Sequence, residues 1–399
     1  MRGRLRSAAF LLSAFCASPA LAQQTFEEFR NSFRIDAVAA GVSAETYDRE
    51  MASARALPIV NERNDNQPEF SRAIWQYLDS AVSERRVADG RTKLAAHIDL
   101  LHTVEASYGV DAPVIAAIWG LESAYGEILG DLDVISSLST LAYQGRRQRY
   151  GREQLIGALK ILDNGYADRT QLKGSWAGAM GQTQFIPTTY LSYAVDMNAD
   201  GKRDLWADHE DVFASTANYL ATFGWEKNKP WGFEVMLPAD FDFSQTGLQS
   251  KKSVAQWDSL GITAAEGRLA DRADLNTTAS ILVPAGASGP AFIVFQNFRT
   301  IMRYNNSTAY ALGIGMLSDA LAGNPVSLAQ EWPRDDRALS LTERKNLQQA
   351  LADRGYDPGP VDGIIGAGTQ RALRAWQRDN GRPADGYASA AVLSAILAS

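Results

Sequence analysis

Gly120-Leu121-Glu122-Ser123-Ala124-Tyr125-Gly126 closes a run that begins at Asp111 and reads as a helix. Asp111 is a good N-cap residue, and Pro113 falls in the first turn, where a missing N–H costs nothing. Ile115, Ile118, Trp119 and Glu122 recur at helical spacing and share one face, apolar except for one carboxylate. Gly126 is placed to end the helix in a left-handed conformation. A lone carboxylate on such a face has two readings. In one it is a structural acid, paired with an arginine or hydrogen-bonded to nearby backbone. In the other, partial burial raises its pKa toward roughly 6–7, so that it can carry a proton at neutral pH. The stretch alone leaves both open, and the rest of the chain must decide.

The chain has 399 residues, 46% hydrophobic and 21% charged, which predicts two or three globular domains with a real core. Its first residues read as an export signal: Arg2, Arg4 and Arg6, a short apolar run, then Ala20-Leu21-Ala22 as a cleavage site. Residues 1–22 are therefore expected to be removed on export, and the run is too short to span a bilayer. The single cysteine, Cys16, lies inside it, so the mature chain offers no disulfide, thiol nucleophile or cysteine-based metal site. Loss of the three arginines takes the formal charge from −7 to −10, and no Lys/Arg block exists. That balance argues against nucleic acid and anionic lipid as partners.

Phe26 to Leu57 and Glu69 to Ser107 carry helical periodicity, with Asn61 to Pro68 read as a loop between them. His97, His102 and His209 are scattered without ligand spacing and read as structural. Arg146, Arg147 and Tyr150 either bind a polar or anionic ligand or form a solvated helix face. Gly174-Ser175-Trp176-Ala177-Gly178-Ala179-Met180-Gly181-Gln182-Thr183-Gln184-Phe185-Ile186-Pro187 alternates small residues with glycine, which allows close backbone approach. Ser175 and Gln184 supply neutral hydrogen-bonding groups suited to sugar hydroxyls and acetamides.

Asp196, Asn198, Asp200 and Gly201 follow the first half of an EF-hand loop, but position 12 is Ala207 where a bidentate Glu belongs. A calcium loop and an ion-free Asp/Gly turn are equally compatible with that half-motif. From Trp231 short strands, bounded by Gly and Pro, form a small β insert before helical spacing resumes at Thr308. After a linker comes a compact module of about 60 residues, small for an independent core and read as a binding module. In it Thr369 is expected to cap a helix.

The stretch around Glu122, the 174–187 motif and Tyr304-Asn305 together resemble the membrane-bound lytic murein transglycosylase B family, over roughly Phe26 to Leu321. The final module is similar to the peptidoglycan-binding domain 1 family, through Gly355-Tyr356-Asp357-Pro358-Gly359-Pro360-Val361-Asp362-Gly363 and Thr369 to Gln377. The resemblance implies a mainly α (α+β) fold: a lysozyme-like α-rich catalytic body with a small β insert, plus a three-helix peptidoglycan-binding module. It implies residues 23–327 as the catalytic domain, 328–338 as a linker and 339–399 as the binding domain. It implies Glu122 as catalytic acid/base. Ser175, Gln184, Tyr219, Tyr304 and Asn305 match substrate-binding residues, and Arg146, Arg147 and Tyr150 match more loosely. It implies no required cofactor, although some members hold a structural calcium, which maps to Asp196, Asn198, Asp200, the Lys202 carbonyl and Asp211. The partner is peptidoglycan glycan strands, with no transmembrane segment.

The activity so implied is cleavage of the β-1,4 bond between N-acetylmuramic acid and N-acetylglucosamine to give 1,6-anhydro ends. A hydrolytic muramidase and a catalytically silent wall-binding scaffold remain the competing readings at the level of sequence.

Overall fold

The computed structural model describes residues 24–65 and 72–398. The expected export signal and Phe70 lie outside them. Six helices lead to the central one: α1 (Phe26–Ala39), α2 (Ala44–Ala52), α3 (Pro58–Asp65), α4 (Ile74–Ala81), α5 (Glu84–Ala96) and α6 (Ile98–Tyr108). Helix α3 occupies most of the stretch read as a loop. Its Pro58 sits where the first turn needs no N–H, and Val60 is fully buried, so packing overrides the polar composition.

Helix α7 (Ala112–Ser123) is the axis of the body. Ala112 and every residue from Val114 to Gly120 are buried, so the helix is covered on nearly all sides, not on the one face its spacing suggested. It packs against α5, α6, α11 (His209–Thr222) and α15 (Thr308–Leu321). Burial of Ile115, Ile118 and their neighbours stabilises the body by about 1.5–3 kcal/mol per large side chain. Its two ends differ from expectation. The Asp111 carboxylate does not cap the helix; it accepts from Trp225 Nε1 at 2.8 Å, while Glu105 Oε2 accepts from the Ala112 N–H at 3.0 Å. At the other end Ala124 and Tyr125 turn left-handed (φ 50° and 61°) before Gly126 does. That reversal folds the Tyr125 ring back over Gly120, where a Cβ would come within 2.4 Å of it.

Between α7 and α11 lie α8 (Val134–Tyr143), α9 (Gln148–Asp163) and α10 (Pro187–Tyr193), with a two-stranded antiparallel pair, β1 (Leu132–Asp133) and β2 (Lys173–Gly174). The insert follows. Strands β3 (Gly232–Met236), β4 (Lys252–Ser253), β5 (Thr263–Ala264), β6 (Thr278–Leu282) and β7 (Ala291–Val294) form one sheet in the order β4-β6-β7-β3-β5. Strands β6 and β7 form a hairpin, antiparallel with Ile281 opposite Ile293. Helices α12 (Val254–Ser259) and α13 (Leu269–Arg272) cover a separate core around Trp257, Val235 and Ile293. Helix α14 (Gln296–Tyr304) then leads to α15.

The final module consists of α16 (Leu341–Asp353), α17 (Ala367–Asp379) and α18 (Ala390–Ala398) around Leu347, Leu351, Leu373, Trp376 and Ile396. Thr369 is not the cap of α17; Gly366 holds that position, and the buried Thr369 hydroxyl donates to the Pro358 carbonyl. The module is docked rather than tethered. Asp385 Oδ2 accepts from the Ala287 N–H at 2.8 Å, Arg374 donates to Thr246 Oγ1, and Trp75, Ala285, Trp332 and Tyr387 pack across the joint. No helix among the described residues is long and apolar enough to cross a membrane.

Candidate active site

Glu122 occupies the last turn of α7, half-buried, where the helix runs out into a cleft of about 1010 Å³. Three parts of the chain line the cleft. The body contributes Tyr77, Leu121, Glu122, Asn305 and Tyr310; the insert contributes Leu248 and Val283; the final module contributes Arg344, Gln370, Arg374 and Tyr387. Glu122 Oε1 accepts a hydrogen bond from the Tyr310 hydroxyl at 2.6 Å. Burial pushes the Glu122 carboxyl up to about 7, against the downward pull of that hydrogen bond. No arginine or lysine among the described residues pairs with it, which speaks against the structural ion-pair reading of this residue.

Tyr310 was not among the residues singled out by sequence. Ser307 caps α15 and accepts from the Tyr310 N–H, which sets Tyr310 in the first turn. The signal was there in the six-residue step from Tyr304 to Tyr310 across a helix break, but nothing local distinguished it from a core tyrosine. The two rings stack, 6.5 Å apart at 10°. The Tyr304 hydroxyl donates to the Thr183 carbonyl at 2.6 Å, tying the end of α14 to the glycine-rich stretch. Tyr219, from α11, packs its ring 5.1 Å from Tyr304 and donates to the Arg303 carbonyl. Glu122, Tyr310, Tyr304 and Tyr219 thus form one connected group, and Asn305, next to Tyr304 in the chain, lines the same cleft.

Ser175 and Gln184 lie on the adjoining irregular stretch. Ser175 Oγ accepts from the Ala177 and Ala179 N–H groups and is held in a tight turn. Gln184 adopts φ 50° and donates to the Leu129 and Gly181 carbonyls. Arg146, Arg147 and Tyr150 stand together at the start of α9 and are not among the residues that line the cleft. Arg146 donates to the Asn64 carbonyl. Arg147 lies over the Tyr150 ring at 4.3 Å and the Trp176 ring at 5.7 Å, and Tyr150 donates to the Ala177 carbonyl.

The side chains expected to hold calcium are engaged within their own loop. Asp196 accepts from the Asp200 and Gly201 N–H groups, and Asp200 from the Lys202 N–H. The Asn198 side-chain amide donates to Asp208. Asp211, the expected last ligand, is buried with one oxygen on the Met197 N–H and the other on the Asp204 N–H, both at 2.7 Å. Among the described residues no three Asp, Glu, His or Cys side chains gather in an arrangement that could hold a metal. A carboxylate anchored on two backbone donors closes the loop where the motif lacks its position 12 Glu.

The transglycosylase SLT domain family matches residues 25–319, and a peptidoglycan binding domain family matches residues 340–396. Membrane-bound lytic murein transglycosylase B of Escherichia coli (strain K12) is 30% identical over 297 residues, 70% of this chain and 80% of that protein. The crystal structure of SltB3 from Pseudomonas aeruginosa in complex with NAG-anhNAM-pentapeptide matches with a TM-score of 0.90 at 48% identity, over 94% of this chain and 100% of that one. The Escherichia coli lytic transglycosylase Slt35, in a complex with calcium, matches with a TM-score of 0.64 at 30% identity, over 74% of this chain and 92% of that one. The chain belongs to the transglycosylase SLT domain family: it is a lytic transglycosylase acting on peptidoglycan, with a peptidoglycan-binding domain following the catalytic body.

Proposed function

We propose that Glu122 acts alone as acid and then base in cleaving the β-1,4 bond between N-acetylmuramic acid and N-acetylglucosamine, leaving a 1,6-anhydro end. The observation that carries this reading is the Glu122 carboxyl itself: burial pushes it to about 7, and Tyr310 fixes it at the edge of the cleft. A group with that pKa can both give and take a proton near neutrality. Most glycosidases flank the scissile bond with two carboxylates. The other carboxylate lining this cleft among the described residues, Asp385, accepts from the Ala287 N–H of the insert and from Gln377 and Tyr387 of its own module.

The protonated Glu122 gives its proton to the glycosidic oxygen as the bond to C1 breaks. The acetamide of the muramic residue stabilises the positive charge at C1. The 6-hydroxyl of the same sugar then attacks C1, and its proton passes to Glu122, which restores the starting state with no water consumed. Nucleophile and electrophile belong to one sugar, which gives the large effective molarity of an intramolecular step. Neutral side chains from Ser175, Gln184, Tyr219, Tyr304 and Asn305 would orient the sugars, and Arg146, Arg147 and Tyr150 would contact a more distant part of the strand. The complex of SltB3 with an anhydro-muramyl peptide supports the product assignment. The export signal read at residues 1–22 would deliver the enzyme to the periplasm, where the polymer lies.

The test is mass spectrometry of products released from purified sacculi. Muropeptides lighter by one water than the hydrolysis products are expected. Reducing-end products would replace this reading with a hydrolytic one.

A further inference from the structure

The glycine-rich stretch contains a second glutamine whose side chain does not face the cleft. Gln182 is buried, 4% exposed, and every polar atom of its side chain is used. Oε1 accepts from Trp119 Nε1 at 2.7 Å. Nε2 donates to the Trp206 carbonyl at 3.0 Å, and the backbone N–H donates to the Leu205 carbonyl at 2.7 Å. Trp119 precedes Glu122 by three residues on α7, the spacing at which helical side chains are neighbours. It is 1% exposed, packed edge-on against Tyr125, His97, His209 and Phe213, and Gln182 satisfies its one polar atom. Gly126 closes on the same amide: a Cβ there would stand 2.4 Å from Gln182 Oε1 and 3.4 Å from Trp119 Nε1. One amide therefore touches the last full turn of α7, the reversal just beyond Glu122, and the loop at 205–206.

We infer that Gln182 is a positioning residue for the reaction, setting the place of Glu122 through Trp119 and the reversal at Gly126. The inference rests on the reading of Glu122 as acid/base given above. Glu122 has few restraints of its own, with the Tyr310 hydroxyl on one oxygen. The last turn of a helix is where backbone hydrogen bonding is weakest. Gln182 fixes that turn from behind, through a bond to a ring that cannot rotate in its packed surroundings. Misplacement of a catalytic group by about 1 Å costs on the order of 100-fold in rate. Because the effect acts on the reacting geometry and not on sugar contacts, it belongs to kcat rather than KM.

The test uses the mature full chain on a soluble glycan fragment, with Glu122→Gln as control. Gln182→Met keeps the length and volume of the side chain but neither accepts from Trp119 nor donates to Trp206. It is expected to lower kcat at least tenfold, with KM within twofold of wild type and an unchanged far-UV spectrum. A folded Gln182→Met with wild-type kcat would overturn the inference and leave Glu122 untouched. Activity retained in Glu122→Gln would overturn both the reading of the site and the positioning that depends on it. Should Gln182→Met not fold, Gln182→Glu decides the point. Its protonated carboxyl is an isostere of the amide: the C=O accepts from Trp119 and the O–H donates to the Trp206 carbonyl. Its ionised form has no proton to donate. Near-wild-type kcat at acid pH, with a further ionisation lowering kcat as pH rises, is expected. A pH profile identical in shape to wild type would overturn the inference.

Discussion

The Tyr310 hydroxyl meets Glu122 Oε1 at 2.6 Å, yet the carboxyl beside it stands at about 7. A donor favours the charged form and lowers a carboxyl pKa; burial raises it, and here burial is the larger effect. Tyr310 therefore moderates the pKa as well as orienting the acid. In Tyr310→Phe the pKa should rise further. A hydrogen bond to a charged group is worth about 1.5–3 kcal/mol, and one pKa unit about 1.4, so a shift of about one to two units upward is expected. The alkaline limb of the kcat/KM profile should move to higher pH by that amount, while kcat falls about tenfold as the carboxyl loses its orientation. A limb that stays in place or moves down would show that the bond does not act on the ionised form.

The raised pKa is also a cost to folding. A carboxyl whose folded pKa lies above its unfolded value of 4.5 binds more protons in the native state than in the unfolded one. Its penalty is absent well below pH 4.5, grows as pH rises between 4.5 and about 7, and is complete above that. Glu122→Gln removes the ionisation and keeps an oxygen for Tyr310 to bond. The variant should be inactive and, at pH 8, more stable than wild type by on the order of 1–3 kcal/mol. At pH 4 the gain should nearly vanish. Thermal melts of both proteins across this range would show it; a difference independent of pH would contradict the placement of this carboxyl in a desolvated site.

His97 and His209, distant in sequence, meet behind α7 with ring centroids 4.4 Å apart, both against Trp119. Desolvation depresses both below 6.5, and His97 adds to the depression of His209. A histidine with a lowered folded pKa contributes stability that is present above its unfolded pKa and lost as pH falls through and below about 6.5. In His209→Phe the ring can keep its stacking on Phe213 and sheds this acid sensitivity. The variant should melt above wild type at pH 5 and converge with it at pH 8, a trend opposite in sign to that of Glu122→Gln. Parallel melting curves at all pH values would contradict the depression of His209.

The helical body, the β6–β7 hairpin and the three-helix module were legible because their apolar residues recur with the period of the element that buries them. Glu122 was legible as a candidate because one carboxylate interrupts an apolar run. What the sequence could not carry are relations between distant segments. Tyr310 and Gln182 act through partners 188 and 63 residues away. Asp211 anchors the acidic loop through its two oxygens, so a half-motif that suggested an ion is closed by a side chain beyond its end. Asp111 looked like a cap but serves Trp225, while Glu105, seven residues before Ala112, does the capping.

The position of the final module is the largest relation of this kind, and it changes what its removal should do. A binding module on a flexible tether would act by local concentration alone, and short soluble fragments would not need it. Here Arg344, Gln370, Arg374 and Tyr387 of the module face the same cleft as Glu122. Asp385 anchors it to the insert: Oδ2 accepts from Ala287, while Oδ1 accepts from the Gln377 amide at 2.6 Å and the Tyr387 N–H at 2.9 Å of its own module, which fixes the carboxylate. Its neighbour Gly286 packs so closely that a Cβ would come within 2.5 Å of Asp385 Oδ2. The module's own core, around Leu347, Leu373 and Trp376, does not include Asp385. Asp385→Ala should therefore leave the module folded and able to bind sacculi, while freeing it from the insert. The radius of gyration in solution scattering should increase, and KM for a soluble glycan should rise severalfold with a smaller change in kcat. Were KM for the soluble fragment unchanged while scattering showed the module released, the module would act through wall binding alone, and its wall of the cleft would play no part in holding substrate.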